Sequence, residues 1–205
     1  QVLKGIRALH PHQEKQAKPL QLAELEQIVI YIDSQINLTT QRSKLLPLIR
    51  NKALVLMGFW RAFRSDELTR LMVEYIKIKP DGCLEIFLPQ SKTDRNNSGT
   101  TYHLPALSKL CPVNAYKDWI NAAIFEDGYL FCSVDQWGNI SDQAMHPNSI
   151  IQLLRTMMKN AGINHSESYS SHSLRRGFST WANANHWDIK TLMQYVGWKD
   201  SKSAL

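Results

Sequence analysis

The chain has 205 residues, 43% of them hydrophobic, a length that fits one large domain or one domain with the remnant of a second. Its net charge of +6 suits a polyanionic partner such as nucleic acid, because neutralising phosphates releases condensed counterions. Cys83, Cys111 and Cys132 are odd in number and far apart, with no C-x-x-C pair; this argues against a disulfide framework or a zinc site, and together with the lack of a signal peptide or membrane-length apolar run it reads as a cytoplasmic protein with free thiols.

Residues 1–19 mix Lys4, Arg7, Lys15 and Lys18 with two prolines and carry no sustained apolar period. They read as a linker or as the tail of a preceding DNA-binding domain. From residue 20 to 205 the chain reads as one domain. Leu22, Leu25, Ile28, Val29 and Ile32 repeat at helical spacing and predict one buried stripe. A second helix is predicted over 43–61, carrying Leu45, Leu48, Ile49, Leu56 and Phe59, with Pro47 expected in its first turn. A short third helix follows Ser65, a plausible cap.

The next stretch alternates. Residues 73–78 and 84–88 predict two strands joined by Pro80-Asp81-Gly82, a polar loop runs from Ser91 to Gly99, and residues 101–104 predict a third strand. Helices resume from Pro112 to Ala123 and are expected again over 148–160, 173–185 and 188–196. The expected fold class is therefore α+β: mainly helical, with a small three-stranded antiparallel sheet.

Four places carry candidate chemistry. In His172-Ser-Leu-Arg175 the apolar residues Leu174, Phe178 and Trp181 share one helix face. His172 and Arg175 lie roughly 100–160° around from that face and are expected to project together, away from the core. Ser170 or Ser171 would cap the helix, leaving free N–H groups beside an arginine, a good place for a phosphate oxygen. The bland alternative is a surface His and Arg at an ordinary cap.

Arg64 sits three residues before Glu67, so the carboxylate can orient the guanidinium. Arg61 competes for the same role. The helix dipole alone also favours an Arg at one helix's end and a Glu at the next one's start. Lys92, in the loop between two strands, is suited to protonate a leaving alkoxide, because a lysine pKa responds to its surroundings; Arg95 nearby stays charged too firmly for that task. Trp198, after Gly197, offers one N–H and a flat wall, or simply a core indole. The seven histidines form no H-E-x-x-H spacing, and neither a Walker loop nor a G-x-G-x-x-G or G-x-S-x-G motif is present, so no metal or nucleotide cofactor is expected.

In this order the pieces resemble the tyrosine recombinases, the phage-integrase family, over nearly the whole chain. The family's Arg followed by Glu is matched by Arg64-Ser-Asp-Glu67, its hairpin lysine by Lys92, and its H-x-x-R by His172-Ser-Leu-Arg175. Its His or Trp after a glycine is matched by Gly197-Trp198, the Trp version of Cre-like members; Cys111-Pro112-Val113 and Leu130-Phe131 look like family connecting segments. The resemblance implies a tyrosine-recombinase catalytic domain that breaks and rejoins DNA by metal-independent transesterification through a 3′-phosphotyrosyl intermediate, without cofactor. In it Arg64 and Arg175 would clamp the phosphate, supported by Glu67. Lys92 would protonate the departing 5′ oxygen, His172 would assist at the phosphate, and Trp198 would close the pocket. It further implies duplex DNA as partner and a homotetramer on that DNA.

The family's attacking tyrosine follows the His/Trp position by a stretch that falls just past Leu205, so the nucleophile and the C-terminal segment are expected outside residues 1–205, which alone should bind a phosphate but not cut DNA. The missing N-terminal domain would end near Lys4-Gly5-Ile6-Arg7. Two other readings compete: a non-catalytic DNA-binding relative that regulates a mobile element, and a type IB topoisomerase.

Overall fold

The computed structural model describes residues 17–89, 99–170 and 172–198. Its centre is helix α2 (Arg42–Trp60), in which residues 53–59 are all buried. A helix apolar all round must be covered on every side, and α2 packs against α1 (Leu22–Leu38), α4 (Pro112–Ala123) and α6 (Ser173–Ala184). Helix α1 contributes the expected stripe, with Leu25, Ile28, Val29 and Ile32 buried. Pro47 lies in the second turn of α2 rather than in its first, because the helix already begins at Arg42; having no N–H, it cannot donate to the carbonyl one turn back.

The exit of α2 shapes everything that follows. Ala62 is fully buried and left-handed, with φ 54°, and the Phe63 N–H closes back onto the Gly58 carbonyl at 3.1 Å. A glycine usually takes this position, since a Cβ makes it cost about 1 kcal/mol. The turn leaves Arg64 extended, as N-cap of the five-residue helix α3 (Ser65–Thr69).

Three antiparallel strands follow, β1 (Ile76–Ile78), β2 (Leu84–Leu88) and β3 (Thr100–Leu104), in the order β1-β2-β3. Ile86 stands opposite Ile76 on one side and Tyr102 on the other, and Leu84, Ile86 and Leu88 fill the buried face. The first strand is shorter than its alternation predicts. Residues Val73–Tyr75 form a 3-10 turn because they bind another segment: the Val73 N–H donates to the Gly128 carbonyl at 2.9 Å and the Glu74 carboxylate accepts the Gly128 N–H at 3.0 Å.

A second hairpin, β4 (Cys132–Val134) and β5 (Ile140–Ala144), was not expected. Its returning strand, Ile-Ser-Asp-Gln-Ala, is too polar to signal a strand by alternation, and its turn is held instead by Asp135, whose carboxylate accepts the Trp137 and Asn139 N–H groups. Helix α5 (Pro147–Asn160) packs on α1 and α3, and α7 (Ile189–Val196), capped by Asp188, packs on α6. The residues directly before α1 already belong to the fold: Lys18 and Leu20 donate backbone hydrogen bonds to the Ser168 and Ser173 carbonyls, and Leu20 is fully buried. The described residues are thus mainly helical, with a small three-stranded antiparallel sheet.

Candidate active site

The α2 exit, the start of α6 and the end of α7 converge on one carboxylate. Glu67, only 4% exposed, accepts the Arg64 backbone N–H at 2.8 Å on Oε2 and the Arg64 guanidinium at 2.6 Å on Oε1. Its place in the first turn of α3 explains the double use, because a Glu there folds back onto the N-cap N–H. Arg175 arrives from α6. Its Nη1 donates to the Ala62 carbonyl at 2.8 Å, its Nη2 donates to the Val196 carbonyl, and its Nη1 stands 3.9 Å from Glu67 Oε2.

Arg175 is therefore turned inward, 5% exposed, and not away from the core as helical-wheel arithmetic alone predicts. The side chain is long enough to leave its own helix face and bridge two buried backbone carbonyls. Burial, then repulsion from Arg64, pulls the Arg175 pKa down to about 10, with Glu67 opposing the shift; it remains a cation at neutral pH. The side chain of Arg64 keeps 25% of its surface open to solvent, so the pair presents one open and one sheltered guanidinium.

Trp198 closes the far side. Gly197 is left-handed at φ 73°, and the Gly197 and Trp198 N–H groups both donate to the Met193 carbonyl, which ends α7 and turns the indole back. The Trp198 ring lies 5.7 Å from the Arg175 guanidinium carbon, within cation–π range. His172 is exposed and is itself the N-cap of α6. Ser170 takes a different part from the cap expected of it, its Oγ accepting the His172 N–H at 3.3 Å; Ser171 lies outside the described residues. Lys92 and Arg95 also lie outside them.

Of the two rival arginines, Arg64 is the one bonded to Glu67. Arg61 is buried beside it between the rings of Tyr102 and Tyr195, with its guanidinium carbon 4.4 and 4.2 Å from their centroids. Arg61, Arg64 and Arg175 together set three guanidiniums against the single carboxylate of Glu67, a surplus of positive charge that invites an anion. Among the described residues no group of three or more His, Cys, Asp or Glu side chains could hold a metal ion. The Tyr195 hydroxyl donates to the Trp60 carbonyl at 2.7 Å and the Tyr169 hydroxyl donates to Glu24, and burial raises the pKa of both phenols.

The sequence profile of the phage integrase family matches residues 20–204. The chain belongs to this family. The integrase/recombinase XerD homolog of Selenomonas ruminantium is 30% identical over 156 residues, which are 75% of this chain and 45% of that protein. Among solved structures, XerH site-specific recombinase bound to palindromic difH substrate superimposes with a TM-score of 0.67 at 19% identity, over 92% of this chain and 48% of its own. XerA recombinase gives 0.64 at 19% identity, over 97% of this chain and 61% of its own. The Tn1549 transposon integrase, in complex with transposon right end DNA, gives 0.59 at 16% identity, over 95% and 61%. At these identities the likeness is one of fold.

This phage-integrase chain thus spans less than half the length of the curated relative and about half of the XerH chain. No helix among its described residues is long and apolar enough to cross a membrane. What sequence reasoning missed in its site is the backbone: the Ala62 and Val196 carbonyls that hold Arg175, and Tyr102 and Tyr195 that hold Arg61. Backbone acceptors leave no residue-type signal, and an aromatic pair from distant segments has no spacing to detect.

Proposed function

We propose that the protein carrying this domain is a site-specific DNA recombinase or integrase that cuts and reseals strands through a 3′-phosphotyrosyl intermediate. The observation that carries the reading is the Arg64–Glu67–Arg175 arrangement, two guanidiniums about one buried carboxylate, in a chain of the phage integrase family. The attacking tyrosine is assigned to sequence outside residues 1–205, and residues 1–19 to the link with a preceding DNA-binding domain. The partner is duplex DNA, bound by a homotetramer.

In the first step a tyrosine hydroxyl gives up its proton and its oxygen bonds to the scissile phosphorus while the bond to the 5′ oxygen breaks, and Lys92 supplies that oxygen with a proton. In the second, a 5′ hydroxyl attacks the phosphotyrosine, gives up its proton and releases the phenol. Each step exchanges one phosphodiester for another, so no external energy source is needed. Arg64 and Arg175 meet the added negative charge of the pentacovalent transition state. Arg175 is already oriented by the Ala62 and Val196 carbonyls, and such preorganised donors contribute about 10²–10³ in rate each. Exposed His172, one turn before Arg175 on α6, bonds the phosphate and assists proton movement, and Trp198 walls the pocket.

The test is a nicked suicide duplex incubated with the protein extended past Leu205 to include the tyrosine. A covalent protein–DNA adduct at a 3′ phosphate is expected. Absence of an adduct from a protein that binds the same duplex would overturn the reading.

A further inference from the structure

Arg61 is buried, at 8% exposed. Among the described residues no carboxylate bonds it. Its Nη1 donates to the Tyr195 carbonyl, its Nε is buried without a hydrogen-bond partner, and its flat faces are covered by Tyr102 and Tyr195. A buried guanidinium so poorly compensated is expensive to keep, since an apolar side chain of similar size would fill the space without desolvating a charge.

The contacts explain what it holds. Tyr102 lies on β3, the strand that follows the sequence segment containing Lys92. Tyr195 lies in the last turn of α7, immediately before Val196, whose carbonyl accepts Arg175. Tyr195 is itself tied down, its hydroxyl on the Trp60 carbonyl and its ring stacked on Phe178 of α6 at 5.0 Å. Consecutive carbonyls at the negative end of α7 therefore take one arginine each, Tyr195 from Arg61 and Val196 from Arg175. Without the first bond the last turn of α7 keeps the Tyr195 hydroxyl bond and ring stack but loses its tie at the carbonyl next to Val196, and the second bond has a less firmly fixed acceptor.

We propose that Arg61 is a positioning residue for the strand-transfer reaction: by pinning the last turn of α7 to the α2 exit and β3, it fixes the Val196 carbonyl that aims Arg175 at the scissile phosphate. The inference rests on the recombinase reading above. Arg61 acts through Arg175 and does not touch the DNA.

The experiment compares single-turnover cleavage of a suicide duplex by the tyrosine-containing protein and its Arg61→Gln and Arg61→Lys variants. Each is assayed on a normal phosphodiester and on a neutral methylphosphonate at the scissile position. On the phosphodiester, Arg61→Gln is expected to cleave roughly a hundredfold more slowly while duplex affinity stays within about threefold. Arg61→Lys, which keeps the charge over the rings but loses the planar fork, falls between, and it carries the same comparison should the Gln variant fail to fold. On the methylphosphonate, which lacks the charge Arg175 answers, the defect should shrink to about threefold or less. In an Arg175→Lys background, Arg61→Gln should add no further loss. An equal defect on both substrates, or losses that multiply in the double variant, overturns the proposal. So does normal cleavage by Arg61→Gln, which leaves the recombinase reading standing; an unsubstituted protein that binds but never cleaves removes both.

Discussion

Nη1 of Arg175 stands 3.9 Å from Oε2 of Glu67, too far for a hydrogen bond and near enough for the charges to feel each other. Glu67 therefore binds Arg64 directly and holds Arg175 only through the field. Replacing it by Gln keeps the shape and an acceptor for the Arg64 N–H but removes a negative charge set among three guanidiniums. Glu67→Gln should cost about 1–3 kcal/mol of stability, as expected when a buried charged bond is weakened. Denaturant unfolding at low and high salt checks it: the cost should be smaller in high salt, where repulsion between the half-open Arg64 and its neighbours is screened. A cost that does not depend on salt would place the effect in packing.

An arginine pointing into solvent could be cut back without harm to the fold, but Arg175 cannot. Its removal strips the charged donors from two carbonyls, Ala62 and Val196. Arg175→Ala is expected to lose about 3–6 kcal/mol, from two charge-assisted bonds at about 1.5–3 kcal/mol each. Amide exchange in the last turn of α7 should accelerate along with it. Arg175→Lys, able to keep one of the two bonds, should lose less. Equal stability of the Ala variant and the parent would contradict the inward geometry.

The close approach of α6 to the chain before α1 depends on one hydrogen atom. A Cβ built on Gly177 would meet the Leu20 carbonyl oxygen at 2.1 Å and the Phe59 ring at 2.9 Å. The oxygen is backbone, held in place by the neighbouring Leu20–Ser173 hydrogen bond, and cannot swing aside as a side chain would. Gly177→Ala should cost about 1–3 kcal/mol through overpacking, even though alanine favours a helix by about 1 kcal/mol elsewhere. Thermal unfolding decides the sign. A stabilised variant would mean the two segments separate freely.

Stability should also fall in acid through Glu24. Burial alone would raise its carboxyl pKa, but the Tyr169 hydroxyl, the Gln21 N–H and Lys18 bond the ionised form and hold the pKa below the ordinary carboxylate range. A folded-state pKa lower than the unfolded one means stability that is present above the unfolded value and lost as pH falls through the folded one. Glu24→Gln should be less stable than the parent at pH 6, with the gap narrowing toward pH 3. Urea unfolding at the two pH values measures it, and a gap of constant size would remove Glu24 from the acid limb.

The helices were legible because their signals are local. The stripe of α1, Pro112 at the start of α4 and Asp188 before α7 each act within a turn or two of their own position. The three-stranded sheet was legible from the alternation of β2. Val73 left its predicted strand because the partner that captured it, Gly128, is distant in the chain, and β5 escaped notice because its residues are polar and its pairing supplies the order. Arg64, Glu67, His172, Arg175 and Trp198 stand out in the sequence through type and spacing together with the resemblance to the family.

Type and spacing determined by themselves which segments coil and which side chains carry charge, since a helix's period and a cap's chemistry involve only near neighbours. Tertiary structure alone decided where those charges point. Arg175 turns inward to two backbone carbonyls, at the α2 exit and the end of α7, and Arg61 is parted from Arg64 because Tyr102 and Tyr195 close around it. Burial leaves a polar group only the partners that folding brings within reach, and those partners lie in segments no local pattern connects.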